Sequence, residues 1–223
     1  MDLKKERYKL LIDCKNTALI FCKQLQNFGI VNKIEGTNED SFNINLEDNI
    51  IKTVKLTKKT LGKGEFAPIK YESIYILKDN VTNQDKELRA KIVKRTEGFM
   101  KSDVVDINWK GGSIANKLNS DHALKEMLLG DAAYPFYVAN SILIPDQKRS
   151  EEVLVNSLRD ELLSTSSFRK EWRLMRRVEK FEIISEEYVG LKVNYREFTS
   201  PVPSRQLMDS ILRIGSSIKE MEK

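Results

Sequence analysis

The stretch FEIISEEYVGLKVNYREF, Phe181 to Phe198, alternates on both sides of a polar turn. Leu191, Val193 and Tyr195 point one way along an extended chain; Lys192, Asn194 and Arg196 point the other. Successive strand side chains fall on opposite faces, so this pattern predicts a β-hairpin with one buried and one wetted face.

Outward from the hairpin the periodicity changes to helical. On its C-terminal side Ser204 is placed as an N-cap, and Leu207, Ile211, Ile214, Ile218 and Met221 step by three and four, which predicts a closing helix. On its N-terminal side the run STSSFRKEWRLMRRVEKF (164–181) opens on capping residues and predicts a helix over Phe168–Phe181. Two short helices are expected around Ser113–Leu118 and His122–Leu129. YPFYVANSILIP (134–145) reads as a strand that stops at Pro145. In EEVLVNSLRDELLS (151–164), Val153 and Val155 alternate as in a strand, while Leu154, Leu158 and Leu162 step by four as in a helix; we read a strand followed by a helix.

The first half differs. Leu11, Cys14, Ala18, Phe21, Leu25 and Phe28 form an apolar stripe that ends at Gly29, a C′ glycine. Such a stripe suits a dimerising coiled coil or a long helix lying on its own domain. Ile12, Leu19 and Ile20 broaden the face beyond a narrow seam and favour the second. From Ile30 to about Arg95, SFNINL, IIKTVKLT, IKYESIYIL and LRAKIVKRT are strand-like, separated by the turn signals EGTNED, LGKGE and KDNVTNQD. RTEGFMKSDVVDINWKGG (95–112) reads as a boundary between halves. The expected fold is α+β: a long N-terminal helix (1–29), an antiparallel β-rich region (30–102), and an α+β region (103–223) with helices packed around the hairpin.

Composition bounds the function classes. Of 223 residues, 40% are hydrophobic and 32% charged, a globular balance, and the net charge of +5 permits an anionic partner without demanding one. Two cysteines eight residues apart on one helix lie roughly 12 Å apart along its axis, too far to bridge, so free thiols and a cytoplasmic setting are expected. The apolar start is broken by Asp13, Lys15 and Asn16 and reads as mature helix, not signal peptide. One histidine and two cysteines on one helix cannot readily supply a zinc site, so no metal or other cofactor is expected.

Three constellations could carry chemistry. Lys110, Gly111, Gly112 and Ser113 precede a helix start, an outline of a phosphate turn, yet their spacing matches neither common nucleotide-binding glycine pattern. A glycine corner that lets Trp109 tuck into the core, with Ser113 capping the helix, is the simpler reading. His122 beside Asp121 reads as a surface helix residue, and Asp103 and Asp106 as surface carboxylates. The third is the helix expected over Phe168–Phe181. It carries six basic residues and two acidic ones, and Arg169, Lys170, Arg173, Arg176, Arg177 and Lys180 gather on one flank. That face would suit an acidic protein, an anionic membrane surface or nucleic acid. The functional expectation is a non-enzymatic cytosolic binding or scaffolding protein. It would use Arg169, Arg173, Arg176, Arg177 and Lys180 for an anionic partner, with the N-terminal helix available for homodimerisation. The alternative is an enzyme with a carboxylate or phosphate site near 106–113.

Overall fold

Alternating apolar residues sort the chain into a sheet with one dry face. The computed structural model describes residues 13–63, 67–78, 85–97, 103–130, 174–197 and 199–221. Its strands are β1 (Asn32–Asn38), β2 (Ser41–Leu46), β3 (Ile51–Thr60), β4 (Ile69–Leu77), β5 (Ala90–Glu97), β6 (Asp103–Gly111), β7 (Val178–Ser185) and β8 (Val189–Tyr195). They form one antiparallel eight-stranded sheet in the order β1-β2-β3-β4-β8-β7-β5-β6. The β7–β8 hairpin is thus inserted between β4 and β5. The line drawn in the sequence at residue 102 falls between β5 and β6, which pair with each other from Ala90↔Gly111 to Glu97↔Asp103.

One row of the inner face shows how alternation builds the core. Ile34, Ile44, Val54, Tyr75, Leu191, Ile183 and Ala90 lie side by side across seven strands. Helices α1 (Cys14–Asn27), α2 (Ile114–Ser120), α3 (His122–Leu129), α4 (Leu174–Arg177) and α5 (Arg205–Met221) add their apolar stripes to the same core. The architecture is α+β.

The stripe of α1 meets its own sheet. Cys14, Ala18, Phe21 and Leu25 are buried, the Phe21 ring lies 6.3 Å from that of Tyr75, and Tyr71 donates to Thr17 Oγ1 at 3.1 Å. Gly29 ends the helix at φ +81°, as a C′ glycine should. On α5, Leu207, Ile211, Ile214 and Ile218 are buried, and Ser204 Oγ accepts from the Leu207 N–H at 3.1 Å, the expected cap. Met221, at the end of that stripe, is exposed. Gly215 lets α5 lie close: a Cβ there would sit 2.4 Å from the Ile50 side chain.

Three sequence expectations change. The helix expected over Phe168–Phe181 ends at Arg177, and Val178–Ser185 is strand. A register shift between Val178 and Lys180 is the reason: Val178 opposes Tyr195 and Phe181 opposes Val193, so two residues three apart both face inward. A bulged strand thereby imitates helical spacing. EGTNED does not simply turn, since Glu35–Asn38 complete β1. DVVDINWKG is not a linker but β6. The strand expected over 134–145 and the segment 151–164 lie outside the described residues.

Candidate functional site

Among the described residues, Arg177 and Lys180 do not share the basic helical face expected of them. Arg169 and Arg173 lie outside the described residues, and Arg176 falls within α4. Arg177 is buried and donates from Nη2 to the Ser200 carbonyl at 3.0 Å. Lys180 lies on strand β7 and is exposed. Arg177 therefore anchors the chain that leads into α5, and Lys180 belongs to the outer face of the sheet.

The Lys110-Gly111-Gly112-Ser113 turn is a corner pressed against the 3₁₀ turn Lys86–Leu88. Gly111 adopts φ +149°, and a Cβ there would stand 2.1 Å from the Arg89 carbonyl oxygen. A Cβ at Gly112 would stand 2.3 Å from the Glu87 carbonyl oxygen. The Gly112 N–H donates to Arg89 O at 2.8 Å, and the Ser113 N–H donates to Glu87 Oε2 at 2.9 Å. The protein's own carboxylate thus stands where an anion would sit. Ser113 makes no side-chain capping bond, contrary to expectation.

Around this corner the free edge of β6 is sealed. The Gly112–Arg89 bond sets the phase of the β5–β6 ladder, so the N–H and C=O groups of Ile107 and Trp109 point away from β5. Asn119 on α2 meets both groups of Trp109: its Oδ1 accepts from the N–H at 2.7 Å and its Nδ2 donates to the C=O at 2.9 Å. Asp106 Oδ1 accepts from the Ile107 N–H at 2.9 Å, and Lys125 on α3 pairs with the same carboxylate at 2.7 Å. The Lys125 bond and the Ile107 N–H hold the Asp106 carboxyl below its ordinary range. Trp109 itself is buried edge-on against Phe181, ring centroids 5.6 Å apart. Next to this edge Asp121 caps α3 by accepting from the Leu124 N–H at 3.0 Å and is gripped by Arg213 of α5, with one bond at 2.9 Å. That guanidinium lowers the Asp121 carboxyl. His122 is exposed beside it.

The outer face of the sheet is where positive charge gathers. Lys91 on β5 stands directly opposite Lys110 on β6, and both are exposed. Like charges facing each other across a strand pair cost stability. Arg95, two residues beyond exposed Val93 along the same face, and Lys180 on β7 add to the patch, with Asp106 opposite Arg95 and Glu182 opposite Lys91, and Lys55 on β3 is exposed on the same face. Towards the sheet centre the cations are matched instead: Lys59 and Lys192 flank the buried Glu72 carboxylate at 3.2 and 3.1 Å, and Lys70 meets Glu179 at 2.8 Å. The basic residues of AKIVKR and IKTVKLT were the available signal, but only the register puts Lys91, Arg95 and Lys55 on one face and Lys94 on the other.

Two buried groups escaped sequence reasoning. Lys94 faces the interior where β5 and β7 part after Lys91↔Glu182, and its ammonium donates to the Val178 carbonyl. Burial pushes it down from 10.5 to about 8; Arg196 adds to that effect and Glu179 opposes it. A hydroxyl cluster of Ser73 and Tyr195 (3.1 Å) with Tyr75 lies within the core. Burial also pushes the thiols of Cys14 and Cys22 up to about 11, which leaves them poor nucleophiles. Among the described residues no helix is long and apolar enough to cross a membrane, and no group of acids, histidines or cysteines is arranged to hold a metal ion.

No protein-family model matches the chain, and neither a curated protein nor a solved structure matches it at a significant level.

Proposed function

We propose that this chain is a cytosolic binding protein that receives an anionic partner on the outer face of its sheet. The observation that carries the reading is the facing pair of Lys91 and Lys110, with Arg95 and Lys180 on the same face and the acids Glu182 and Asp106 opposite Lys91 and Arg95. An approaching anion removes that repulsion, so part of the binding energy is stored in the free protein. Lysine is a compact point charge without a fixed hydrogen-bonding fork, so a face built mainly of lysines attracts charge rather than reading a sequence. The two free, buried thiols support a reducing compartment.

The test is salt-dependent binding of duplex nucleic acid, polyglutamate and anionic vesicles. Engagement of four phosphates by Lys91, Arg95, Lys110 and Lys180 would give duplex DNA a log K against log salt slope of about −3.6. Reversing Lys91, Arg95 and Lys110 to Glu should abolish binding while the circular dichroism spectrum stays unchanged. Reversing Lys15 and Lys23, exposed on α1, should leave binding intact. Failure of every probe to bind at low salt, or equal loss from both sets of reversals, would refute the reading.

A further inference from the structure

Strand β1 is the opposite edge of the sheet, and its chemistry is self-complementary. The Glu47 N–H donates to the Val31 carbonyl at 2.9 Å, and Val31 lies opposite Glu47 in the β1–β2 register. In an antiparallel ladder such bonded pairs alternate with unbonded ones. Val31, Lys33 and Glu35 therefore spend their backbone groups on β2, while Asn32, Ile34 and Gly36 direct theirs outward from the sheet. The strand is exposed along its length apart from half-buried Asn32 and Ile34, and the regular register ends after Gly36, where it shifts.

Place a second copy antiparallel along this edge with Ile34 opposite Ile34. Each Ile34 then exchanges both backbone hydrogen bonds with its counterpart. Asn32 exchanges both with Gly36 of the other copy, so every outward N–H and C=O from Asn32 to Gly36 is used. In the same register Lys33 faces Glu35 at the unbonded, closely spaced positions, twice by symmetry. No register centred on a neighbouring residue does both: centring on Glu35 would oppose the two glutamates and leave Ile34's groups out of phase. The side chains fit as well. The two Ile34 residues meet on the inner face and extend the core, and Asn32 faces a residue with no side chain.

The rim of this edge carries exposed apolar residues. Val31 is 57% exposed and Leu19 44%. Leu19 lies on α1 one turn before Cys22, whose carbonyl accepts from the Asn32 side chain at 3.0 Å.

The geometry points to a second copy of this chain as the occupant of the β1 edge, joined as an isologous pair into one continuous sheet. The two-fold axis runs perpendicular to the sheet, so both lysine-rich faces lie on the same side. The partner would then meet a doubled surface, although the pairing itself does not depend on what that surface binds.

Sedimentation equilibrium of the full chain decides it. The wild type should rise from 25.8 kDa toward twice that mass with concentration. Lys33→Glu and Glu35→Lys should each remain monomeric, because each opposes like charges across the two-fold. An equimolar mixture of those two variants should recover the doubled mass, and so should the two substitutions combined in one chain. Ile34→Pro removes an N–H that only the second copy uses, so it should abolish association while the circular dichroism spectrum stays unchanged. A wild type that stays at 25.8 kDa at millimolar concentration overturns the pairing. So does a dimer indifferent to both charge reversals.

Discussion

The two edges of the sheet are treated in opposite ways. At β6 the Asn119 carboxamide takes both free groups of Trp109, Asp106 takes the N–H of Ile107, and Lys125 pins that carboxylate. At β1 the outward groups of Asn32, Ile34 and Gly36 have no strand beside them among the described residues. An unpaired edge is a template for another strand, and proteins generally blunt it. Blunting one edge with three side chains and leaving the other bare, with opposite charges spaced for self-pairing, separates a wall from a doorway. Between them lies a third case. Where β5 and β7 part, Lys94 reaches across with its side chain to Val178 in place of a backbone ladder.

The largest expected effect lies at the wall. Gly112→Val would drive its side chain into the Glu87 backbone, which stands 2.3 Å from an added Cβ. Backbone cannot yield as a side chain tip can, so a loss of about 3 kcal/mol is expected by urea denaturation, at the upper end for overpacking. A glycine corner that served only as a ligand cradle would show normal stability and altered binding instead.

Next is Asn119→Ala, which strands the N–H and C=O of Trp109 at the β6 edge. A cost of about 2 kcal/mol is expected, with concentration-dependent aggregation as the edge opens. Ile34→Pro offers the matching insult at the bare edge. Its effect on the monomer should be about 1 kcal/mol or less, measured in the Lys33→Glu background. Equal losses at the two edges would erase the distinction.

The last effect concerns the seam and is read as a pH dependence. Lys94 titrates at about 8 in the folded chain and at its ordinary 10.5 when unfolded. Between those values the unfolded chain holds the extra proton, so this group's contribution to stability rises with pH across that window and is lost as pH falls through 8. Lys94→Met should remove that rise. Urea midpoints of the two proteins should differ by a pH-dependent amount between about pH 8 and 10, and a constant difference would mean that Lys94 is not buried as a cation.

Legibility followed burial. The inner strands β2, β3, β4 and β8 were readable because a dry face demands apolar residues at every second position: Phe42, Ile44 and Leu46, or Leu191, Val193 and Tyr195. Both edge strands were missed. NKIEGTN has one neighbour and little to bury, so Ile34 is its only large apolar residue and its second half looks like a turn. DVVDINWKG ends in glycines that resemble a linker. The basic face was attributed to a helix because the β7 bulge spaces Val178 and Phe181 by three. Of the residues assigned to it, Lys180 is exposed on the strand and Arg177 is spent on a carbonyl.

The amino-acid order by itself determined the elements whose pattern follows local burial: the hairpin turn after Ser185, the capped stripe of α5, the stop of α1 at Gly29 and the inability of Cys14 to reach Cys22. These depend on period, capping and reach, which are properties of short stretches. Which strands lie side by side was decided only by the tertiary structure. Inserting β7–β8 between β4 and β5 puts Lys91 and Lys110 on the same face as Lys180, and β1 stays at the far edge with β2 alone beside it. Pairing partners are distant in the chain, and a strand carries the same alternation whichever neighbour it finds.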